Sequence, residues 1–385
     1  MTTTIDTLLD LESRLTPAEI MWREVARTLV DEHIRPVIDD DFEAQRFRPE
    51  ILRALGRTGL LSLPIASRDD GETVGYGLAC MELEAGDSSY RTLLSVQSSL
   101  AMTSIDSYGS EEQKDRWLPA MAAGEALGCF ALTEPHSGSD PGGMTTSATR
   151  RGDDWVLSGA KRWIGLANHA DVAVVWARAE DGVRGFLVDT ASRGFSAVPI
   201  GGKLSLRASV QCDVTFDDVV VPSSAALPGA EGLGTALACL VNARYGIAWG
   251  VMGAARSSFE SALDLSRRRR AFGEPLARRQ LVQAKLADMF TDYQRGVLVA
   301  LHLGRLKAEK RLSAAQVSTG KLGNVRLAQR IVRTARGVLG GDGVTSAFPV
   351  MRHMANLEAV STYEGTEEIH QLIIGRTLTA ENAIR

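Results

Sequence analysis

Hydrophobic residues recur at helical spacing in the first third of the chain. Thr16-Pro17-Ala18-Glu19 combines a capping residue, a first-turn proline and a glutamate three residues after the cap, which together indicate the start of a helix. Apolar positions then follow at Ile20, Val25, Leu29 and Ile34. The capping pattern returns at Ser110-Glu111-Glu112-Gln113, so this part of the chain is expected to be helical.

From about Phe130 to Pro222 the pattern changes to short runs rich in β-branched and aromatic residues. Glycine, aspartate and serine turns separate these runs, which is typical of strands in an antiparallel sheet or small barrel. The runs are Trp155-Val156-Leu157, Val172 to Trp176, Gly185 to Val188 and Val214 to Val221.

After Pro228 the helical period returns and persists to the end. Three long segments free of proline predict a helical bundle, and they are Met252 to Leu265, Leu281 to Leu306 and Ala314 to Leu339. The fold class expected is therefore α+β and mostly α. Its predicted parts are an N-terminal helical domain (1–129), a small antiparallel β-domain (130–230) and a C-terminal helical bundle (231–385).

Composition excludes several classes of function. In the 385 residues no apolar run approaches the ~18 that a membrane span needs, and the net charge of −4 gives no basic excess for nucleic acid. The first residues carry Asp6, Asp10 and Glu12 without a basic start or an apolar core, so a cytoplasmic location is expected. The scattered cysteines and histidines predict reduced thiols and no metal site.

Two stretches carry candidate chemistry. In Thr362 to His370 a glutamate, Glu364, precedes Gly365, and on spacing alone this is typical of a surface turn. Thr366 can cap a following helix whose free amides suit an anion. The second stretch, Leu132 to Asp140, follows a strand-like run and is either a plain turn or a loop that binds a phosphate or a polar ring edge.

Five motifs together resemble the acyl-CoA dehydrogenase family, and within it the glutaryl-CoA dehydrogenases. The similarity runs from about Thr16 to Ala383. The motifs are Ser95-Val96-Gln97-Ser98-Ser99, Thr133 to Asp140, Gly202 to Arg207, Asn242 to Gly246 and Thr362 to Thr366. The resemblance implies a homotetramer of three-domain subunits, with FAD between the β-domain and the C-terminal bundle.

The resemblance also implies which residues contact FAD. Those along the flavin are Phe130, Leu132, Thr133, Gly138, Ser139, Trp163, Ile164, Gly165, Thr366, Glu367 and Glu368. Those at the phosphates and adenosine, across a subunit interface, are Arg269, Phe272, Gln280 and the loop Gly337, Val338, Leu339, Gly340 and Gly341. Without the resemblance, Gly340 to Gly343 is typical of a helix C-cap, and the run Arg267 to Arg270 is a solvated surface.

The resemblance makes Glu364 the base that removes the α-proton of an acyl-CoA. An arginine at position 91 matches the group that binds the distal carboxylate of a dicarboxylyl chain, with Glu84 beside it, although a surface arginine is the alternative. Since Glu84 and Arg91 are two helical turns apart, they are expected to share a helix face. The other expected substrate contacts are Thr92, Ser95, Ser139, Asn242, Arg244, Tyr363 and Gly365.

These matches predict FAD-dependent α,β-dehydrogenation with oxidative decarboxylation of glutaryl-CoA to crotonyl-CoA and CO2, and an electron-transferring flavoprotein as acceptor. One position departs from the family, which usually has Trp-Ile-Thr where this chain has Trp163-Ile164-Gly165. The missing hydroxyl and the space it leaves raise a short-chain acyl-CoA oxidase as an alternative. A desulfinating or non-decarboxylating relative and a scaffold protein that lost catalysis are the other two.

Overall fold

The computed structural model of the chain describes residues 5–65 and 71–383. The predicted first and last domains also contain residues 1–4, 66–70 and 384–385, which lie outside the described residues. The first third is helical, as predicted. Its helices are α1 (Ile5–Leu9), α2 (Pro17–Leu29), α3 (Ile38–Ala44), α4 (Glu50–Thr58), α5 (Glu72–Gly86), α6 (Ser88–Leu94), α7 (Thr103–Tyr108) and α8 (Glu111–Ala122).

Both predicted capping boxes form. The Thr16 hydroxyl accepts a hydrogen bond from the Glu19 amide at 3.3 Å, and the Glu19 carboxylate accepts one from the Thr16 amide at 2.8 Å. Ser110 and Gln113 make the same reciprocal pair at the start of α8. These bonds satisfy amides that have no partner in the first turn of a helix, which is why the sequence located both starts.

The segment between α5 and α7 departs from a simple helix. Asp87 is extended, with φ −166°, and its carboxylate accepts from the Ser89 amide at 2.8 Å, so α5 ends and α6 begins there. The expectation that Glu84 and Arg91 share one helix face is therefore wrong, because they lie on different helices. After α6, Ser95–Met102 is π-helical, as is Val30–Ile34 after α2, and such segments are frequent at functional sites.

The middle of the chain forms one sheet in the order β6-β7-β3-β2-β4-β5-β8, with β1 beside β4. The pairs are antiparallel, as expected, except that β1 and β2 each run parallel to β4. A parallel neighbour needs a long connection, which a pattern of short runs does not reveal. The strands are β1 (Gly128–Ala131), β2 (Ser147–Arg151), β3 (Asp154–Gly165), β4 (Val172–Ala179), β5 (Gly182–Asp189), β6 (Phe195–Pro199), β7 (Gln211–Pro222) and β8 (Ala226–Glu231).

The C-terminal part is the predicted set of long helices. They are α9 (Leu233–Arg268), α10 (Gln280–Ala308), α11 (Ala314–Leu339), α12 (Val350–Thr362) and α13 (Glu367–Thr379), with a short hairpin of β9 (Arg270–Ala271) and β10 (Glu274–Pro275) after α9. Helix α9 is central, since its middle turns are buried against α5 and α11. Short 3-10 turns lie at Glu12–Arg14, Leu60–Ser62, Pro141–Gly143, Ser223–Ala225, Leu276–Arg278 and Gly340–Val344.

Two expectations drawn from composition concern the cysteines and membrane-spanning segments. All four cysteines are buried and unpaired, which agrees with the prediction of free thiols in the core. Among the described residues, no helix is both long enough and apolar enough to cross a membrane.

Candidate active site

Glu364 lies in a tight turn between α12 and α13. Its φ of 54° and the φ of 103° at Gly365 are both in the left-handed region. A β-carbon on Gly365 would lie 2.9 Å from Nε2 of His370, so glycine is needed there for space as well as for conformation. As predicted, Thr366 caps α13, and its hydroxyl accepts from the Ile369 amide at 3.4 Å.

Arg91 lies beside this turn, in the interior of the chain. Its guanidinium is fully buried, and Nε donates to Oε2 of Glu84 at 2.7 Å. Nη2 donates to the hydroxyl of Tyr363, which also lies 3.5 Å from Oγ1 of Thr92. The Ser88 hydroxyl holds the second oxygen of Glu84 at 2.9 Å. The structure therefore brings Glu84, Arg91, Thr92 and Tyr363 together next to Glu364.

Among the described residues, several buried polar atoms on or near this turn have no hydrogen-bond partner, and they include Oε2 of Glu364, Nη1 of Arg91, Oγ of Ser95 and both ring nitrogens of His370. Buried polar groups in folded proteins are nearly always paired, so a cluster of unpaired ones indicates a place that a ligand completes. Because the cluster contains a carboxylate, a guanidinium and a hydroxyl, its ligand must be polar at more than one point.

Burial raises the pKa of the Glu364 carboxyl above its ordinary value. Three cations oppose that shift, in decreasing order Arg91, Lys321 and Arg244. Arg244 also contacts the turn directly, since its Nε donates to the Glu364 carbonyl at 2.8 Å. A carboxyl with a raised pKa is a better proton acceptor, which suits a general base.

Two further groups lie where the loop after β1 meets strand β3. The carbonyl of Thr133 accepts from the Arg162 amide at 2.8 Å, which joins the loop after β1 to strand β3. An extra residue in β3 opposite β7 makes a bulge at Arg162 and Trp163. Trp163 there has φ 63° and is 51% exposed. An indole turned out of a sheet in this way offers a flat apolar face to a ligand.

The loop after β1 is held by hydrogen bonds at its base and is exposed at its tip. Lys161 is fully buried, and its ammonium donates to the Leu132 carbonyl at 3.0 Å and to Glu134 at 2.9 Å. Gly138 and Ser139 at the tip are exposed, and no atom of the described residues lies within 4 Å of a β-carbon built on Gly138. Leu132 and Phe130 are buried, at 6% and 8% exposure.

Gly165, at the end of β3, lies against the segment that follows α6. A β-carbon on Gly165 would lie 3.2 Å from Cγ2 of Val96, which belongs to the π-helical segment that begins at Ser95. The space left by the missing threonine is thus bordered by Val96. Ile164, which precedes it, is packed in the core.

A second cluster lies at the far ends of α9 and α11. Arg269 pairs with Asp342 at 2.9 Å, which places it at the glycine-rich turn after α11. Gly337, Gly340 and Gly341 are exposed, and in the part of the chain that the structure describes no atom lies within 4 Å of a β-carbon added to any of them. Val338 and Leu339 are buried in the core. Phe272 is 95% exposed with φ 53°, and Gln280 at the start of α10 is also exposed.

The second cluster is distant from Glu364 within one chain. Lys321 on α11 contacts the Glu364 turn, and a rise of ~1.5 Å per residue puts Gly337 about 24 Å further along that helix. Nearer to the turn, Glu367 pairs with Arg326 at 2.9 Å and Glu368 is exposed. Asn242 accepts from the Lys307 ammonium at 2.9 Å.

Comparison with known proteins identifies the family. Models of the acyl-CoA dehydrogenase N-terminal, middle and C-terminal domains match residues 16–125, 129–219 and 230–379. The chain belongs to the acyl-CoA dehydrogenase family. It is an FAD-dependent dehydrogenase.

Individual family members are similar over nearly the whole chain. A crystal structure of glutaryl-CoA dehydrogenase from Mycobacterium smegmatis has a TM-score of 0.97 and 51% identity, covering 99% of this chain and 100% of that one. A second, of a glutaryl-CoA dehydrogenase from Mycobacterium smegmatis in complex with FADH2, has a TM-score of 0.97 and 48% identity, covering all of both chains. The mitochondrial short-chain specific acyl-CoA dehydrogenase of Bos taurus is 32% identical over 364 residues, 92% of this chain and 88% of that protein.

The residues present fit FAD. The exposed indole of Trp163 and the exposed loop tip at Gly138 and Ser139 are surfaces that a flavin ring can contact, and the buried Oε2 of Glu364 has no hydrogen-bond partner among the described residues. The open glycines near Arg269 let a phosphate approach the backbone. Sequence reasoning missed two residues of this acyl-CoA dehydrogenase site. Gly250, whose added β-carbon would lie 2.2 Å from Oε2 of Glu84, and Lys321, which donates to the Gly365 carbonyl, gave no local signal because the groups they contact are distant in sequence.

Proposed function

We propose that this acyl-CoA dehydrogenase oxidises and decarboxylates glutaryl-CoA to crotonyl-CoA and CO2, with Glu364 as the base. The observation that carries the proposal is the fully buried Arg91, whose Nη1 is unpaired in the same region as the unpaired Oε2 of Glu364. The Arg91 guanidinium suits the distal carboxylate of a dicarboxylyl chain, and the Glu364 carboxylate suits the proton on its α-carbon.

Arg91 is held ready for an anion. Nε of Arg91 donates to Glu84 and Nη2 donates to Tyr363, so Nη1 is the donor that remains for a ligand. An apolar acyl chain would leave that buried face without a partner, which is costly. A carboxylate matches the planar geometry of the guanidinium, and we assign its second contact to the unpaired hydroxyl of Ser95, four residues after Arg91 in the chain.

Glu364 carries the proton transfers. It removes the α-proton of glutaryl-CoA, while FAD, when bound, supplies the acceptor for the β-hydride. A thioester α-proton is too weak an acid for an unassisted carboxylate, so the carbonyl oxygen has to accept a hydrogen bond, which we assign to the Glu364 amide. Loss of CO2 from the distal end then leaves a dienolate. Glu364 returns its proton to that dienolate, which gives crotonyl-CoA.

The remaining roles follow the resemblance. Flavin contacts are assigned to Phe130, Leu132, Thr133, Gly138, Ser139, Trp163, Ile164, Gly165, Thr366, Glu367 and Glu368, and acyl-CoA contacts to Thr92, Ser139, Asn242, Arg244 and Gly365. The second cluster, with Arg269, Phe272, Gln280 and Gly337 to Gly341, is too far along α11 to serve the same end of FAD. It fits the cofactor of a second subunit, which supports a homotetramer of subunits divided at 1–129, 130–230 and 231–385.

An electron-transferring flavoprotein is the acceptor we assign. Gly165 favours a second candidate, a short-chain acyl-CoA oxidase, because a hydroxyl of the family pattern is absent beside the expected flavin edge. The cytoplasmic location expected from the sequence stays a prediction.

Anaerobic titration of the purified holoenzyme with glutaryl-CoA tests the function. Bleaching of the flavin spectrum, together with release of CO2 and formation of crotonyl-CoA, is the expected result. Glu364→Gln is the matched control, since it keeps the size of the side chain but cannot take the proton, and its flavin should stay oxidised. Bleaching without CO2 would point to a non-decarboxylating relative. Preference for butyryl-CoA over glutaryl-CoA would overturn the assignment to a dicarboxylyl substrate.

A further inference from the structure

A buried lysine lies against the turn that carries Glu364. Lys321, on α11, is 1% exposed. Its ammonium donates to the carbonyl of Gly365 at 2.6 Å and to the carbonyl of Tyr363. The two acceptors belong to the residues on either side of Glu364, so one ammonium group binds both sides of the turn.

Arg244 completes the arrangement from α9. Because its Nε donates to the Glu364 carbonyl, three successive carbonyls, those of residues 363 to 365, each accept from a buried cation. The turn needs such support, since Glu364 has a positive φ that a residue with a β-carbon adopts only under constraint. Removing one cation would leave carbonyl oxygens buried without a donor.

The charged and titratable groups around Glu364 come from every element packed on the turn. Those with a positive charge are Arg91, Arg244 and Lys321, from α6, α9 and α11. The others are Cys80 and Glu84 on α5, Tyr363 in the turn itself, and Glu367 and His370 on α13. Burial lowers the pKa of His370 to about 3, so this imidazole is neutral and adds no charge.

Burial lowers the pKa of Lys321 to about 7, while Glu364 opposes that shift. Lys321 is therefore charged below about pH 7. In that range the ammonium stabilises the carboxylate form of Glu364 by charge as well as by holding its backbone.

We infer that Lys321 is a positioning residue for the base: its ammonium fixes the turn at residues 363 to 365 and favours the carboxylate of Glu364. This inference rests on the proposed role of Glu364 as the base. Lys321 does not touch the substrate in this account, and it acts through Glu364.

Stopped-flow reduction of the holoenzyme by glutaryl-CoA, measured anaerobically from about pH 6 to about pH 9, tests the inference. In Lys321→Met the carboxylate loses a neighbouring positive charge, so its pKa rises. The acid limb of the limiting rate constant should then move to higher pH by about one unit or more. The apparent dissociation constant for glutaryl-CoA should change little. Lys321→Arg keeps the charge and should keep the acid limb near its wild-type position.

Lys203→Met is the matched control, because Lys203 is also a largely buried lysine that donates to backbone carbonyls, those of Leu206 and Ser209, in a loop of the β-domain. It should lower the melting temperature without moving the acid limb. An unmoved acid limb in Lys321→Met, with a similar loss of melting temperature, would overturn the inference and leave Lys321 as packing. If Lys321→Met lost FAD, Lys321→Gln, which keeps a donor but no charge, would give the same comparison.

The two proposals fail in different ways. If flavin reduction persists in Glu364→Gln, the assignment of Glu364 as the base is wrong, whatever the Lys321 variants do. If Glu364→Gln loses flavin reduction but Lys321→Met leaves the pH profile of reduction unshifted, only the role inferred for Lys321 is wrong.

Discussion

Arg91 and Glu84 form a fully buried ion pair, with Nε of Arg91 2.7 Å from Oε2 of Glu84, although they lie on two helices separated by a break at Asp87. The break turns the start of α6 so that Arg91 reaches back to α5. An ion pair taken out of water contributes little net stability, because desolvation offsets the attraction. The pair is better explained by the role proposed for the Arg91 guanidinium, which is to bind the distal carboxylate of the substrate.

Arg91→Met should change specificity. A distal carboxylate that loses a desolvated guanidinium loses about 2–5 kcal/mol, so kcat/KM for glutaryl-CoA should fall about 30- to 5,000-fold. The value for butyryl-CoA should change much less. Because the variant leaves Glu84 buried and unpaired, the double variant Arg91→Met/Glu84→Gln is the control for stability. Equal losses on both substrates would show that Arg91 supports the fold and does not select the acyl chain.

Gly250 on α9 should be needed for the same ion pair. A β-carbon there would lie 2.2 Å from Oε2 of Glu84 and 3.2 Å from Cγ and Cδ of Arg91. Gly250→Ala should therefore displace the pair, lower kcat/KM for glutaryl-CoA and lower the free energy of unfolding by about 1–3 kcal/mol.

Gly323→Ala is the control for Gly250→Ala, since Gly323 is also inside a long helix but no atom lies within 4 Å of an added β-carbon. It should leave turnover unchanged and raise the free energy of unfolding by up to about 1 kcal/mol. Identical behaviour of the two variants in thermal unfolding and in turnover would contradict the steric argument.

Acid should weaken the chain through Glu82, whose carboxylate accepts from Arg256 at 2.6 and 2.9 Å and from Arg27 at 3.0 Å. Burial alone would raise the pKa of Glu82, but the two guanidinium groups lower it to about 2. A folded-state pKa below the unfolded value stabilises the fold above the unfolded pKa, and this contribution, about 3 kcal/mol, is lost between about pH 5 and about pH 2.

Glu82→Gln isolates this effect. Its free energy of unfolding, measured in urea, should lie below that of the wild type near neutral pH, and the gap should close as the pH falls through that window. A gap that stays constant with pH would mean that Glu82 contributes by packing alone.

Local signals predicted much of this fold, and contacts between distant residues account for what they missed. Thr16 and Ser110 marked helix starts because a capping box is complete within four residues. The break at Asp87 and the parallel pairing of β1 with β4 depend on tertiary contacts that no short window contains.

The candidate site divides in the same way. Local sequence signals alone favoured a surface arginine at position 91 and a surface turn at Glu364. The resemblance to the family corrected both expectations. Lys321 and Gly250 stayed hidden because a lysine and a glycine inside long helices are unremarkable until the groups they meet are known.

Gly165 should govern how the reduced enzyme reacts with oxygen. An added β-carbon would lie 3.2 Å from Cγ2 of Val96, so Gly165→Thr alone presses on that side chain, and the double variant Gly165→Thr/Val96→Ala removes the conflict. Loss of one neutral hydrogen bond to flavin is worth about 0.5–1.5 kcal/mol, so restoring the hydroxyl should alter reduction by substrate only modestly. Filling space beside the ring should slow reoxidation more, because access of oxygen is a steric matter.

Stopped-flow mixing of substrate-reduced enzyme with oxygenated buffer measures this difference. Val96→Ala alone is the control, since it enlarges the same space and should not slow reoxidation. Fast reoxidation of the wild type that slows in the double variant supports the oxidase as the physiological activity. If the wild type reoxidises as slowly as the double variant, Gly165 is a neutral packing change. Electrons then leave through an electron-transferring flavoprotein, because the reduced flavin has no competing route to oxygen on the time scale of turnover.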